Sequence, residues 1–141
     1  MPASTILLIE SDAASGESIA GVLTRVGYTV TTIADADEAF GKVADHQLAI
    51  IDVVTGAKSA VDLCREIRST PALSAIPVLC VGQSDSVEER IQFLEAGADD
   101  VMAKPFDARE LEARVEALLL RFQRSKDMTA VVSVDGVTVT K

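Results

Sequence analysis

Aromatic residues are scarce in this chain. Its 141 residues include no tryptophan, one tyrosine and four phenylalanines, while the hydrophobic share is 48%. This composition is typical of a globular protein whose core is aliphatic. The length suits one domain followed by a tail.

The sequence also lacks the marks of secreted, membrane-spanning and metal-cysteine proteins. No apolar run is long enough to cross a bilayer, and residues 1–5 do not resemble a secretory signal. Cys64 and Cys80 do not have the spacing of a metal site, so we expect buried, reduced thiols and a cytoplasmic location. The single histidine, His46, is expected in a solvated loop.

Positive charge is scarce over most of the chain. The net charge is −9, and residues 121–141 hold four basic and two acidic residues, so residues 1–120 carry −11. Such a body should repel a phosphate backbone. We therefore expect no direct nucleic-acid binding by residues 1–122, and any contact with DNA would need another module.

Apolar runs and amphipathic stripes alternate along the chain. Short apolar runs predict strands at residues 5–9, 29–33, 48–51, 76–81 and 100–102. Stripes with apolar residues three and four apart predict helices between and after them, the shortest being Val87, Ile91 and Leu94. Five strand–helix repeats imply an α/β fold, a doubly wound parallel sheet. The run 29–33 is the more polar one and is predicted to be an edge.

Charged residues follow three of the predicted strands. Glu10 and Asp12 follow the first strand, Asp52 the third and Lys104 the fifth. Ligands of open α/β sheets bind beyond the carboxyl ends of the strands, so these side chains should meet. Clustered carboxylates attract Mg²⁺, and a carboxylate beside the ion can form an acyl phosphate that a lysine helps to neutralise. The plainer interpretation is solvated carboxylates with a salt-bridged lysine.

Five stretches resemble the receiver domain of two-component response regulators, over about residues 4–122. They are ILLIESD, LAIIDVV, VDLCREIR, LEAGADD and KPFDARELEARVEALL. The resemblance implies a flavodoxin-like strand order 2-1-3-4-5, with Asp52 as phosphoacceptor and Lys104 as the phosphate-contacting lysine. It also implies a Mg²⁺ site, for which the candidates are Glu10, Asp12, Asp52 and Val54, and a sensor histidine kinase as partner. The Lys104–Pro105 bond is usually cis in this family.

Four positions depart from the pattern of that family. Ser11 stands where a second acidic residue binds Mg²⁺, and Gly82 stands where a hydroxyl contacts the phosphoryl group. Val101 replaces a switching aromatic residue, and Gly56 replaces a proline. A charge lost about 4 Å from the ion forfeits up to about 4 kcal/mol at an effective dielectric constant of 20, so Mg²⁺ binding is expected to be weak.

Two hypotheses about function follow. The favoured one is an atypical receiver, in which Asp52 and Lys104 form a structural ion pair and the surface binds a partner regardless of phosphate. In the alternative, Asp52 is phosphorylated in the presence of Mg²⁺ and switches the domain. An enzyme of the same fold, using flavin or cobalamin, ranks third, and we expect no enzymatic activity.

The resemblance also places an output surface on the fourth helix, fifth strand and fifth helix. Polar and charged candidates there are Gln92, Glu95, Asp99, Asp100, Glu110, Arg114 and Arg121. Gln92 occupies a position that is basic in the family's charged dimer face, so the set of ion pairs is incomplete. A homodimer is expected, the alternative being a solvated helix face whose ion pairs contribute little.

The end of the chain predicts a separate small element. Residues 123–129 have the composition of a linker, and residues 130–141 alternate around Asp135-Gly136, which is a hairpin signal. A lone hairpin is marginal in water, so it should pack on something. It resembles the opening strands of a winged-helix effector domain, which implies a transcription regulator with a shortened or lost output domain. Docking on a partner subunit and a flexible tail are the alternatives.

Overall fold

The computed structural model describes residues 4–52 and 59–135. Within these ranges, strands and helices alternate as predicted. The strands are β1 Thr5–Ile9, β2 Thr29–Ile33, β3 Leu48–Ile51, β4 Val78–Gly82 and β5 Asp100–Ala103. The helices are α1 Ala13–Val26, α2 Ala36–Phe40, α3 Ala60–Ser69, α4 Val87–Ala96 and α5 Ala108–Asp135. Short 3₁₀ turns lie at Val43–Asp45 and Pro71–Leu73.

The five strands form one parallel sheet in the order β2-β1-β3-β4-β5. This confirms the predicted fold class, the predicted strand order and the edge position of the run 29–33. The order reverses direction beside β1, so the carboxyl ends of β1 and β3 border the crevice in which ligands of such sheets bind. The sheet therefore carries the candidate site at this edge.

Apolar residues cover both faces of the sheet. Side chains alternate along each strand, so Leu7 and Ile9 of β1 join one core cluster and Ile6 and Leu8 join the other. The first cluster includes residues of α2, α3 and α4, and the second includes residues of α1 and α5. Central strands buried on both faces explain the continuous apolar runs in the sequence.

The expectation for the two cysteines is confirmed. Cys64 and Cys80 are free and buried, as predicted for structural thiols. In the part of the chain that the structure describes, no helix has the length and apolar character needed to span a membrane.

The apolar stripe that marks α4 lies on the outside of the helix. Val87, Ile91 and Leu94 are 58%, 46% and 47% exposed, whereas Phe93 and Ala96 are buried. The helix was therefore predicted correctly from a stripe that does not face the core. Periodicity identifies a helix by its repeat, but a second apolar stripe on the same helix decides which side packs on the sheet.

The end of the chain differs from its prediction. Helix α5 continues to Asp135, so residues 123–135 are helical where a linker and the first strand of a hairpin were predicted. Residues 123–135 contain neither glycine nor proline, and extending an existing helix adds one hydrogen bond per residue fixed. Residues 136–141, which would form the second strand, lie outside the described residues. The division into a domain at 1–122 and a following segment stays a prediction.

Candidate functional site

Three strand ends bring the predicted site together. The backbone N–H of Glu10 donates to Ile33 O, and that of Asp52 donates to Ile9 O, both at 2.9 Å. The N–H of Lys104 donates to Gly82 O at 3.0 Å. Each site residue is thus held by the last ladder hydrogen bonds of the sheet. The Lys104–Pro105 peptide bond is cis, as the resemblance implied.

The carboxylate of Asp52 is enclosed by hydrogen-bond donors. Lys104 Nζ lies 2.9 Å from Oδ2, and the Ser15 hydroxyl donates to the same oxygen at 3.0 Å. The side-chain amide of Gln83 donates to Oδ1 at 2.6 Å. The Asp52 side chain is 0% exposed. Both carboxylate oxygens are therefore engaged without any ligand.

Two of these partners were missed by sequence reasoning. Ser15 lies in the first turn of α1, and Gln83 is the first residue after β4. The Gln83 oxygen also accepts a hydrogen bond from Lys104 Nζ at 3.3 Å, so the amide bridges the predicted pair. The sequence offered one weak signal for Gln83, its position directly after Gly82, where a hydroxyl that contacts the phosphoryl group is missing.

Glu10 and Asp52 influence each other's ionisation. Burial and hydrogen bonding to Asp52 raise the pKa of Glu10 to about 7. Burial also opposes ionisation of Asp52, but hydrogen bonds from Glu10, Lys104 and Gln83 outweigh it and hold the Asp52 pKa below its ordinary value. Near neutral pH, Asp52 is therefore ionised, and Glu10 carries a proton that it loses as the pH rises through about 7.

Glu10 also has one unsatisfied oxygen. Its Oε2 accepts from the backbone N–H of Asp12 at 2.8 Å, but no N–H or O–H donor of the described residues faces its buried Oε1, so a hydrogen bond between Glu10 and Asp52 requires a proton on Glu10. A buried carboxylate oxygen without a partner is costly unless a proton or a cation meets it. Glu10 beside Asp52 therefore fits two ligands of a hard divalent cation.

Asp12 does not complete that ligand set. Its carboxylate caps α1 and accepts from Ala14 N at 3.1 Å and Ser15 N at 3.4 Å. In this structure Asp12 instead satisfies unpaired N–H groups of the first helical turn, and its place beside Glu10 and Asp52 in a metal site stays a prediction. No group of three or more His, Cys, Asp or Glu side chains in the described ranges is arranged to hold a metal. Val54, another candidate, lies outside those ranges.

The positions that depart from the family pattern lie in different surroundings. Ser11 is half-buried beside the site, and Val101 is buried in the core cluster of α2, α3 and α4. Gly56 lies outside the described residues. A Cβ on Gly82 would come within 2.9 Å of Glu89 Oε1. The Glu89 carboxylate therefore occupies the space that a side chain at position 82 would need.

The charged candidates of the output surface are mostly paired within the chain. Arg114 binds Asp100 at 2.7 Å and Glu110 at 3.0 Å. Arg121 reaches Asp99 at 3.5 Å, and Asp99 also binds Arg68 at 2.5 Å. Gln92 and Glu95 are exposed on α4 beside the apolar stripe. Most ionic side chains of this surface in the described part of the chain are therefore paired, whereas the apolar stripe of α4 is exposed.

Comparison with protein families gives a match over most of the chain. A family model described as the response regulator receiver domain matches residues 6–116. The response regulator MprA of Mycobacterium ulcerans is 38% identical over 127 residues, covering 89% of this chain and 54% of that protein. The alkaline phosphatase synthesis transcriptional regulatory protein SphR of Synechococcus elongatus is 35% identical, covering 93% of this chain and 54% of that protein. The chain spans about half the length of these curated relatives.

Solved structures show the same fold. The receiver domain of the sensor histidine kinase PA1611 from Pseudomonas aeruginosa superimposes with a TM-score of 0.75 at 25% sequence identity. The match covers 83% of this chain and 98% of that domain, which has a magnesium ion coordinated in its active site cleft.

Proposed function

Because the chain belongs to the family of response regulator receiver domains, we propose that it is an atypical receiver that signals by binding protein partners, with little dependence on phosphorylation of Asp52. The observation that carries this proposal is the closed state of Asp52. Its side chain is 0% exposed, and Lys104, Ser15 and Gln83 occupy both of its oxygens.

A phosphoacceptor must present an oxygen to the incoming phosphorus atom. Attack requires a near-attack geometry with the reacting atoms about 3–3.5 Å apart, which a covered carboxylate does not offer. Gly82 supplies no hydroxyl to the transferred group, and Ser11 supplies no charge to a metal. Lys104 is already neutralised by Asp52 at 2.9 Å. These features together support a structural role for the ion pair.

The second candidate function is a phosphoacceptor that uses Mg²⁺. It is favoured by one observation, the buried Oε1 of Glu10, which no N–H or O–H donor of the described residues faces. Glu10 and Asp52 would hold the ion, which when bound neutralises the carboxylates and the oxygens of a phosphoryl group. The relative from Pseudomonas aeruginosa supports such a site. Because only two carboxylates would hold the ion, we expect this chain to bind Mg²⁺ weakly.

Phosphodonor labelling tests the proposal. We expect that incubation with Mg²⁺ and acetyl phosphate adds one phosphoryl mass to only a small fraction of the protein, because Asp52 is covered. Intact-mass spectrometry measures this fraction, and Asp52→Asn serves as the control for the labelled residue. Stoichiometric, base-labile labelling that Asp52→Asn abolishes would establish the phosphoacceptor and overturn the proposal.

The partner that we propose first is a second copy of this chain. The apolar stripe on α4 is exposed, while Arg114 and Arg121 are paired internally. A dimer through α4, β5 and α5 would bury that stripe. The similarity to SphR, a transcriptional regulatory protein, supports a role in regulating transcription. A separate output domain, an upstream sensor histidine kinase and a cytoplasmic location are parts of the same proposal. The net charge of −11 over residues 1–120 argues against DNA contact by these residues.

Substitution of the stripe tests the dimer. Ile91→Glu should weaken dimerisation at least about tenfold, because it places a charge in an interface that apolar contacts hold together. Val26→Glu is the matched control, since Val26 is an equally exposed apolar residue (48%) at the end of α1. Sedimentation equilibrium measures both dissociation constants, and high salt should change them little. Equal dissociation constants for the two variants would contradict this interface.

A further inference from the structure

Gln83 is an exposed residue whose side-chain amide makes three hydrogen bonds. Its Nε2 donates to Asp52 Oδ1 at 2.6 Å and to Val81 O at 3.3 Å. Its Oε1 accepts from Lys104 Nζ at 3.3 Å. A primary amide has two N–H donors and one carbonyl acceptor, so every polar group of the side chain has a partner.

The charges around Gln83 fix the direction of its amide. The NH₂ end faces the carboxylate of Asp52, and the oxygen faces the ammonium of Lys104. The reverse orientation would place oxygen against an anion and N–H against a cation. Hydrogen bonds to charged groups are stronger than those between neutral groups, so the bridge is held from both ends.

The two oxygens of Asp52 are covered by different parts of the protein. Oδ2 contacts Lys104, which directly follows β5, and Ser15, which lies in α1. Oδ1 faces Gln83, which is itself exposed. Gln83 therefore stands between solvent and the oxygen that is not already committed to Lys104.

From this geometry we propose that Gln83 is a positioning residue that covers Asp52 and holds it against Lys104, so that the identity of residue 83 decides whether Asp52 can accept a phosphoryl group. The inference deepens the proposed function and rests on it, because it names the contact that keeps Asp52 closed. The amide of Gln83 occupies the positions beside Asp52 Oδ1 and Lys104 Nζ that a phosphoryl group on Asp52 would need.

The chemistry that removal of Gln83 would permit is a simple transfer. Asp52 Oδ1 attacks the phosphorus of an acyl phosphate, and a new O–P bond forms. The bond from phosphorus to the acyl oxygen breaks, its electron pair leaves with the carboxylate product, and nothing is oxidised or reduced.

The test compares Gln83→Met with wild type. Methionine keeps the length of the side chain and loses its hydrogen bonds. This variant therefore separates the effect of the hydrogen bonds from the effect of side-chain volume. Gln83→Ala removes both, and Gln123→Met makes the same chemical change on α5. Since Gln83 is exposed, these substitutions leave the core unchanged. Each variant is also made with Ser11→Asp, which returns the charge that is missing from the metal site.

Labelling by acetyl phosphate and Mg²⁺ is followed by intact mass, and binding of beryllofluoride is followed by ¹⁹F NMR. Gln83→Met should raise the labelling rate about 10- to 100-fold in both backgrounds, which is the range for a hydrogen bond to a charged group. Gln123→Met should not change it, and Asp52→Asn should abolish it. A bound-fluoride signal should appear in Gln83→Met at concentrations that leave wild type unbound.

The outcomes separate this inference from the proposed function. Rapid stoichiometric labelling of wild type would overturn the proposed function. Slow labelling of wild type, with Gln83→Met equal to it in both backgrounds and by both measurements, would overturn the role of Gln83 and leave the proposed function standing. A gain with Gln83→Ala but not with Gln83→Met would show that bulk covers Asp52, which also overturns the hydrogen-bonded bridge.

Discussion

At pH 8 and in the presence of a chelator, Glu10→Gln should unfold with a free energy about 2 kcal/mol higher than that of the wild-type protein. At pH 5 the two proteins should differ little. The variant is thus expected to gain stability from losing a buried acid, and only at a pH where the acid is ionised.

The expectation follows from the raised pKa of Glu10. Burial first, and then the neighbouring Asp52, raise it from 4.5 to about 7, so the folded protein binds this proton more tightly than the unfolded chain does. The stabilisation from the bound proton is complete below pH 4.5 and is lost as the pH rises through 7. Glutamine imitates the protonated acid at every pH, so it keeps what glutamate loses.

Asp52 does not obscure this window. Its pKa is held below the ordinary value of 3.8, so the stability that it contributes is present at neutral pH. That contribution is lost only when the pH falls below about 3.8 and further through the depressed pKa. The slope between pH 5 and 8 therefore reports Glu10.

Urea unfolding at several pH values measures the effect. Glu17→Gln is the matched control, because Glu17 is an exposed acid on α1 and its replacement should change stability by less than about 0.5 kcal/mol. Wild type and Glu10→Gln curves that run parallel from pH 5 to pH 8 would show that Glu10 does not titrate in this range.

Lys104→Met should destabilise the fold by about 3 kcal/mol at pH 7. The substitution leaves the fully buried carboxylate of Asp52 without its cation, although Ser15 and Gln83 still donate to it. Removing one partner of a buried ion pair costs more than the pair itself contributes, because the remaining charge keeps its desolvation penalty. The 22% exposure of the Lys104 side chain places the cost at the lower end of the usual range.

A double-mutant cycle identifies the source of this cost. Asp52→Asn removes the charge that Lys104 compensates, so adding Lys104→Met to it should cost less than about 1 kcal/mol. Lys42→Met is the control, since Lys42 is exposed in the connection between α2 and β3. If Lys104→Met costs no more than Lys42→Met, the pair is not structural and the phosphoacceptor becomes the better hypothesis.

The site was only partly predictable from the sequence. Asp52, Lys104 and Glu10 were identified because each directly follows a strand, and strand ends can be located from apolar runs. Asp12 follows the same strand as Glu10, but its carboxylate is equally suited to capping the helix that follows it, and in the structure it caps that helix. Ser15 and Gln83 carry no pattern of their own. They reach Asp52 because the sheet order places both β1, which α1 follows, and β4 beside β3.

The sequence by itself determined the five strands and the alternating helices, because buried parallel strands and amphipathic helices leave periodic apolar patterns along the chain. It indicated the family only through the resemblance of five stretches to receiver domains. It also determined which members of the receiver site are absent, since Ser11 and Gly82 cannot regain a charge or a hydroxyl by folding. Tertiary structure alone decided that Asp52 is closed, that Gln83 closes it, and that the α4 stripe faces outward. These depend on which side chains meet across separate elements, and contacts between distant residues leave no periodic trace in one sequence.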